Sequence, residues 1–281
     1  MHRTSPTTAA VLEPYLTTQI TAIGRLNPLV RAGDADAIHD MRVASRRLKA
    51  TLATYGFAFA SDRGRQLRDE LDWLAEVLGA ARDHEVQRSI LAEFADGPEL
   101  EIASLALAET TQAALLVALT SERYDALARD LTAFGAEPPW TPEAGEHSTS
   151  LLDRSLSRQF RRVTQRVKTA RKSSLGSHLD HQLHQVRKAV KRARYATEAA
   201  KPVLPSHSAA LTDDLSAAQD VFGAHNDLVA TRGNERAWAE LGVGGELWTR
   251  LEERLRTSRT GARDALEPVR RIARAGQALP S

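Results

Sequence analysis

The sequence predicts an all-α protein built from two related sets of helices. Three observations indicate this fold class: apolar residues recur at helical spacing, no segment shows the alternation of β-branched residues typical of strands, and one basic segment occurs twice. The two copies are Ile38–Lys49 and Leu183–Arg194, 145 positions apart. We therefore predict two pseudo-symmetric four-helix bundles, residues 7–134 and 147–275, joined by a linker over 135–146.

The first half is expected to contain four helices. Periodicity and helix-breaking residues place them at residues 7–31, from the acidic loop 32–36 to about residue 60, at 62–94, and from the Asp96-Gly-Pro98 break to about residue 134. Pro14 is unfavourable in the first turns of a helix, so a later start at about Glu13 is the alternative to a start at residue 7.

The second half repeats this arrangement after a linker dense in proline and glycine. Its helices are expected at residues 147–172, 178–201, 207–240, and from the Gly242-Val-Gly-Gly245 break to about residue 273. Pro202 and Pro205 end the helix that contains the second basic segment.

Composition excludes several classes of protein. With 281 residues and 42% hydrophobic residues, the chain can bury a large core. The absence of cysteine excludes disulfides, thiolate chemistry and cysteine-based zinc sites. The N-terminus lacks the apolar core of a signal peptide, and no run of about 18 apolar residues stands out. We therefore expect a cytoplasmic protein without a membrane partner.

Each copy of the basic segment predicts a helix with a strip of cations beside its buried stripe. At 100° per residue, one strip about 80° wide contains His39, Arg42, Arg46 and Lys49, and its counterpart contains His184, Arg187, Lys191 and Arg194. The apolar stripe of the first copy lies about 110° away, and Ser45 is its only polar member. The stripe consists of Ile38, Met41, Ser45, Leu48, Leu52 and Tyr55. Cations that border a buried stripe lie at a groove between helices, where several can converge on an anion.

Charge is concentrated around the second copy. Residues 158–194 contain twelve Lys or Arg and one acid, Asp180, for a net charge of +11. Since the whole chain has +2, the remainder is at −9, so the cations produce a local positive field. Candidates for a second wall of the site are Arg82, Arg158, Arg162, Arg166 and Tyr195.

A second motif also occurs twice, as Val77-Leu-Gly-Ala-Ala-Arg-Asp83 and Val221-Phe-Gly-Ala-His-Asn-Asp227. Glycine inside a helix costs about 1 kcal/mol relative to alanine. Close helix crossing explains Gly79 and Gly223 more simply than an approach of the backbone to a ligand. The two aspartates are poor phosphate ligands because of their charge, so we expect them to orient Arg or His side chains or to cap a helix.

Three classes of function compete. The first is binding of a polyanion. The second, nucleic-acid binding, is disfavoured because aromatic residues are only 5% and only Tyr195 lies among the cations. The third is an enzyme that uses a metal or a histidine phosphoacceptor. The repeated Glu and Glu-x-x-His set of di-iron bundles is missing, although His178, His181 and His184 leave a weak histidine-only metal site open. We favour the first class, with no catalysis, no cofactor and no metal.

The paired motifs resemble the CHAD family, named for its histidines and α-helices. The resemblance is contained in His39-Asp-Met-Arg-Val-Ala-Ser-Arg-Arg-Leu48 with Leu78-Gly-Ala-Ala-Arg-Asp83, and in the second copy from His184 to Glu198 with Gln219–Gly223 and Asp227. The chain departs from the family pattern at Ala193, where leucine is usual, and at His225. The resemblance covers nearly the whole chain, so residues 1–281 are expected to form a single CHAD domain.

The resemblance implies two four-helix bundles related by a pseudo-twofold axis, with a basic central surface that binds inorganic polyphosphate. Phosphate or sulfate ions are expected to occupy the same surface, and polyphosphate granules are an expected location. The implied binding residues are His39, Arg42, Arg46, Arg47, Lys49, His184, Arg187, Lys188, Lys191, Arg192 and Arg194. Of these, Arg47, Lys188 and Arg192 lie at the edge of the strip, where a solvent-facing role is equally open.

Overall fold

The computed structural model describes residues 6–95, 97–146, 150–204 and 208–278. Within these ranges the chain forms helices and no β-sheet. The α-helices are α1 (Thr8–Arg31), α2 (Ala35–Thr54), α3 (Ser61–Leu91), α4 (Pro98–Leu119), α5 (Glu122–Ala136), α6 (Ser150–Arg171), α7 (Ser177–Ala200), α8 (Ser208–Gly233), α9 (Glu235–Glu240), α10 (Glu246–Asp264) and α11 (Leu266–Gln277).

The two halves pack their helices in the same order. In the first half α1 packs on α2, α2 on α3 and α3 on α4, and in the second half α6 packs on α7, α7 on α8 and α8 on α10. Between the halves, α2 contacts α7 and α3 contacts α8. Each of these helices therefore touches its own counterpart, which is the pattern that a twofold axis between the halves would produce.

The hydrophobic core continues across both halves. One cluster of buried residues extends from Val11 in α1 to Ala273 in α11. A second cluster joins Leu91 and Leu100 of the first half to Trp238 and Leu251 of the second. Because both clusters contain residues of both halves, the halves bury their apolar surface together.

The fourth helix of each half is interrupted, contrary to the sequence prediction of one continuous helix. In the first half the break lies at Thr120 and Ser121, where the Ser121 hydroxyl accepts a hydrogen bond from the Tyr124 amide at 3.3 Å and caps α5. In the second half, α10 ends before Ala265 and α11 starts after it. The third predicted helix of that half also breaks, at Asn234. Hydrophobic periodicity continues through such short breaks, so it cannot show that the helix axis changes direction.

The first helix starts at Thr8, one residue after the predicted start at residue 7 and well before the alternative near Glu13. The Thr7 hydroxyl accepts from the Ala10 amide and caps this start, and Pro14 is accommodated inside the helix. One other predicted bound was wrong. The second helix ends at Thr54 instead of near residue 60. Tyr55 is buried there, and its hydroxyl donates to the carbonyl of Ala196 in α7 at 2.7 Å, which ties the end of α2 to the other half.

The linker packs on the first half. Trp140 stacks on Phe59 with ring centroids 5.0 Å apart, and the Ala60 amide donates to the Pro139 carbonyl at 2.8 Å. Four sequence predictions lie outside the described residues: the break at Asp96, the start of the second half at residue 147, the stop at Pro205 and the helix start at residue 207.

In the part of the chain that the structure describes, one helix is long and apolar enough to cross a membrane, judged by length and composition alone. It is α4, whose most apolar window has a mean hydropathy of 1.6. One side of α4 packs into the protein through Ala103, Leu115 and Leu119, while Ile102 and Val117 are exposed.

Candidate anion-binding site

The two basic helices bury the stripe that the sequence predicts. Met41 and Leu48 of α2 are fully buried, as are Val186 and Val190 of α7. The one polar member of the stripe, Ser45, is buried too, and its hydroxyl donates to the Met41 carbonyl at 2.8 Å. This burial orients α2 and α7, and because the two helices also contact each other, their strips of cations face a shared region.

Four cations converge in that region, and we call them the central cluster. They are Arg42, Arg46, Arg187 and Lys191, two from each half. Each of the four lies close enough to the other three for their charges to repel. All four side chains are half-buried, so water screens this repulsion only partly.

Burial and mutual repulsion disfavour the charged forms of three of these side chains, Arg46, Arg187 and Lys191. Burial, then repulsion from Arg187, Arg46 and Arg42, lower the pKa of Lys191 from about 10.5 to about 7. Burial, then repulsion from Arg42 and Arg187, lower the pKa of Arg46 to about 10. The pKa of Arg187 is also lowered, chiefly by burial. The arrangement therefore costs stability, which an anion bound among the four cations would restore.

Two aspartates face the central cluster. Arg42 Nη1 donates to Asp83 Oδ1 at 2.9 Å, and Asp227 acts electrostatically on Arg187 and Lys191. These contacts agree with the predicted role of the aspartates in orienting basic side chains. The buried Nε atoms of Arg42 and Arg187 form no hydrogen bond, at matching positions of the two halves.

The glycine that recurs in the two motifs, Gly79 and Gly223, is explained by the same arginines. A Cβ added at Gly79 would lie 3.4 Å from Arg42 Nη2, and one at Gly223 would lie 4.0 Å from Arg187 Nε. Each glycine therefore lies against the arginine of the neighbouring helix. A side chain larger than alanine at either position would displace that arginine.

Glu198 of α7 neutralises two of the predicted ligands. It accepts from Arg47 Nε at 3.1 Å and Arg194 Nε lies 3.1 Å from its other oxygen. The Tyr15 hydroxyl of α1 donates to it at 3.0 Å. Tyr195 is buried beside this group, with both arginines near its ring, so it has the core role and not that of a second wall. These contacts connect the two halves.

The last cations of the two strips are also paired with α3 and α8. Lys49 donates to Asp72, and Arg194 Nη1 donates to the Ser216 hydroxyl at 3.1 Å. Arg194 also contacts Glu198. The last cation of each strip, Lys49 or Arg194, is therefore already paired with other residues of the protein. The positive charge that remains is concentrated in the central cluster.

Arg192 lies in a second positive cluster and not in the central one. Burial lowers its pKa, and repulsion from Arg162 of α6 and Arg68 of α3 adds to this effect. Arg162 was predicted to belong to the second wall, together with Arg158 and Arg166. Both Arg158 and Arg166 are exposed, and Arg158 donates to the Ser155 hydroxyl at 2.9 Å. Arg82 pairs with Glu85 on its own helix. The predicted second wall is thus dispersed over several places.

The leading histidines differ from each other. His39 in α2 is exposed, and so is Lys188, the residue after Arg187 in α7. His184 is half-buried, and its Nδ1 is hydrogen-bonded to Asn226 Oδ1. Burial lowers the pKa of His184, which favours the neutral ring. When Nδ1 donates to Asn226, Nε2 holds a lone pair, so His184 can donate to an anion only when it is protonated.

The histidines of the second half that the structure describes do not assemble into a metal site. His181 and His184 line a cavity of about 290 Å³ together with His225. His225 is buried and bonded through Nε2 to Asp180 at 3.1 Å, and Arg259 binds the same carboxylate through two hydrogen bonds. Among the described residues no three His, Asp or Glu side chains are placed to hold a metal ion. His225, the departure from the family pattern, therefore has a structural role.

A model of the CHAD domain matches residues 14–234 of the chain. The chain belongs to the CHAD family. The match includes both basic segments and both glycine–aspartate motifs, and it ends at the start of α9. The resemblance predicted from the paired motifs is therefore confirmed.

Relatives and solved structures agree with this assignment. Uncharacterized proteins Rv2226 and MT2285, from two strains of Mycobacterium tuberculosis, are each 32% identical over 214 residues, which are 72% of this chain. The chain spans 40% of the length of either relative.

Two solved structures have the same fold. The CHAD domain from the plant Ricinus communis matches with a TM-score of 0.76 at 24% identity, over 97% of this chain and 93% of that one. PptA from Streptomyces chartreusis matches with a TM-score of 0.71 at 22% identity, over 97% and 99%. The predicted all-α class is confirmed.

Sequence reasoning missed several residues around the site of this CHAD domain. Tyr15 and Asp72 were not singled out, Asn226 was named only as part of the second motif, and Glu198 entered only through the family motif. Nothing in the local sequence marks Tyr15, because its partner Glu198 is 183 residues away. In the aligned motifs Asn226 stands where the first half has Arg82, which did show that the two halves differ at this position.

Replacing Lys191 by methionine is expected to stabilise the protein at pH 7 by about 1 kcal/mol or more, because it removes a buried amine from a positive cluster. In the wild type, a pKa near 7 when folded and about 10.4 when unfolded means that the folded state binds fewer protons between these values. Stability therefore rises with pH across that window, and Lys191→Met flattens the rise. Urea unfolding at pH 7 and pH 9 measures both effects.

The control for this experiment is Lys188→Met, which removes an exposed lysine nearly one turn away. It should keep the pH dependence of the wild type. Equal slopes in the wild type and in Lys191→Met would contradict a depressed pKa at Lys191.

Proposed function

We propose that this CHAD domain binds inorganic polyphosphate through the central cluster and does not cleave it. The observation that supports this most directly is the convergence of Arg42, Arg46, Arg187 and Lys191, drawn from both halves. Burial and repulsion within this group lower the pKa values of Arg46, Arg187 and Lys191. A polyanion replaces this repulsion by attraction. Each charge-assisted hydrogen bond would contribute about 1.5–3 kcal/mol before side-chain ordering is subtracted.

The family assignment supports the same ligand, because polyphosphate binding is the known role of the CHAD family. The exposed His39 and Lys188 flank the central cluster on α2 and α7 and would extend the contact along a longer chain. Arg47, Lys49 and Arg194 already have protein partners, so we assign them to the support of the site. Phosphate and sulfate ions fit the same cations.

Polyphosphate explains the site better than nucleic acid does. Proteins that bind single strands stack bases on exposed aromatic rings. Tyr195, the aromatic residue among the cations, is 4% exposed and covered by Arg47 and Arg194. A chain of phosphates without bases needs only the cations.

We further propose that binding needs neither cofactor nor metal and takes place in the cytoplasm, at polyphosphate granules. The cations of the central cluster would oppose a metal ion electrostatically.

Titration with long polyphosphate, duplex DNA and single-stranded RNA at matched salt tests the proposal. We expect polyphosphate to bind most tightly, and the logarithm of its association constant to fall steeply between roughly 50 and 200 mM salt, because several contacts release counterions. Fluorescence anisotropy of end-labelled ligands measures all three affinities.

Two outcomes would count against the proposal. RNA that binds as tightly as polyphosphate would favour the nucleic-acid class, and a flat salt dependence would argue against an electrostatic site. Polyphosphate recovered from the same samples should keep its length distribution on a gel. Shortening that disappears in His184→Ala would instead indicate an enzyme.

A further inference from the structure

The ion pair between Arg42 and Asp83 has its acid on the solvent side. The Arg42 side chain is 14% exposed and lies against Gly79, whereas the Asp83 side chain is 55% exposed. One hydrogen bond of 2.9 Å, from Arg42 Nη1 to Asp83 Oδ1, joins them. The arginine is therefore held by its surroundings, while the aspartate is free to turn away into water.

Glu198 shows what a structural acid looks like in the same protein. Its side chain is 18% exposed, and three groups from three helices contact it: Tyr15, Arg47 and Arg194. Moving Glu198 would leave all three without their partner. Moving Asp83 would release a single hydrogen bond, and water would then hydrate its exposed carboxylate.

Asp83 also lies where a ligand has to arrive. An anion that approaches from solvent meets the outer side of Arg42, which the Asp83 carboxylate occupies. The same carboxylate acts on Arg46 and Arg187, so its negative charge extends over most of the central cluster. A phosphate oxygen and the Asp83 carboxylate would compete for one guanidinium group and would repel each other.

We propose that Asp83 is a resident counter-anion that competes with phosphate for Arg42 and thereby sets the selectivity of the site for long chains. This inference rests on the proposed function. A single orthophosphate that displaces Asp83 exchanges one acceptor for another and gains little. A chain that reaches Arg46, Arg187 and Lys191 as well gains contacts that no carboxylate has filled.

The second half has no equivalent closed pair. In the part of the chain that the structure describes, Asp227 faces Arg187 and Lys191 without an ion pair to either. The competition is therefore concentrated in the first half, at Asp83. This asymmetry predicts a larger effect from a change at Asp83 than from the same change at Asp227.

Asp83→Asn tests the inference with tripolyphosphate and long polyphosphate as ligands at matched salt. We expect tripolyphosphate to bind roughly two- to fivefold more tightly than it binds to the wild type. The gain for the long chain should be smaller, because a long chain has other cations to contact while Asp83 stays in place. The ratio of the affinity for long polyphosphate to the affinity for tripolyphosphate should therefore be smaller in Asp83→Asn than in the wild type.

The matched control is Glu70→Gln, which changes the net charge equally on the same helix. Glu70 pairs with Arg123 of α5, and it lies 13 residues from Asp83, about 20 Å along the helix axis. It should leave both affinities unchanged. If Asp83→Asn weakens binding, or matches Glu70→Gln, Asp83 only orients Arg42 and the inference is wrong. A wild type that does not bind polyphosphate overturns the proposed function itself.

Discussion

Replacing Arg187 and Lys191 together by glutamate should weaken the binding of long polyphosphate at least about a hundredfold. The change removes two charge-assisted contacts, each worth about 1.5–3 kcal/mol. It also places two acids beside Arg42 and Arg46, which brings the formal charge of the four positions, counted with Lys191 protonated, from +4 to zero. The pair Arg42→Glu and Arg46→Glu should have the same effect, since all four cations act on one another. Isothermal titration calorimetry measures the loss.

The matched control is Arg271→Glu with Arg274→Glu, which changes the net charge equally at exposed positions of α11. It should reduce affinity only through weak long-range attraction, and the difference should vanish at high salt. Circular dichroism should show that every variant stays helical. If both central-cluster variants lose no more affinity than this control, polyphosphate binds elsewhere on the protein.

Glu198→Ala should lower the stability of the protein by about 3–5 kcal/mol, the usual cost of removing one partner from a buried charged group. The alanine leaves Arg47 and Arg194 as half-buried cations without an acid, beside the donor hydroxyl of Tyr15. For a protein of this size we expect the melting temperature to fall by roughly 6–15 °C. Thermal unfolding followed by circular dichroism measures it.

Two further variants separate this effect from the loss of a surface charge. Tyr15→Phe removes one of the three contacts and should cost about 1 kcal/mol. Glu70→Ala removes a more exposed acid that pairs with Arg123, and it should shift the melting temperature far less. A Glu198→Ala variant as stable as Glu70→Ala would show that the contacts of Glu198 do not hold the halves together.

The helical class and the two basic strips follow from local sequence. Buried stripes such as the one containing Met41 and Leu48 have a period close to 3.6, and this period is a property of one helix alone. The repeat of the strip in α7 then identified the second half. The breaks at Ser121 and Ala265 were missed because they leave this period almost unchanged.

Tertiary structure alone decided which cations remain available to a ligand. Helical periodicity gives the angle of a side chain about its own axis, but not the register of the helix that packs beside it. Arg47 and Arg46 are adjacent in sequence, yet Arg47 meets Glu198, 151 residues away, while Arg46 meets Arg187 and Lys191. The sequence by itself determined that two helices present cations. The packing of α2 against α7 determined that four of these cations share one site. Contact between distant segments decides whether a cation meets other cations, as Arg46 does, or an acid, as Arg47 does.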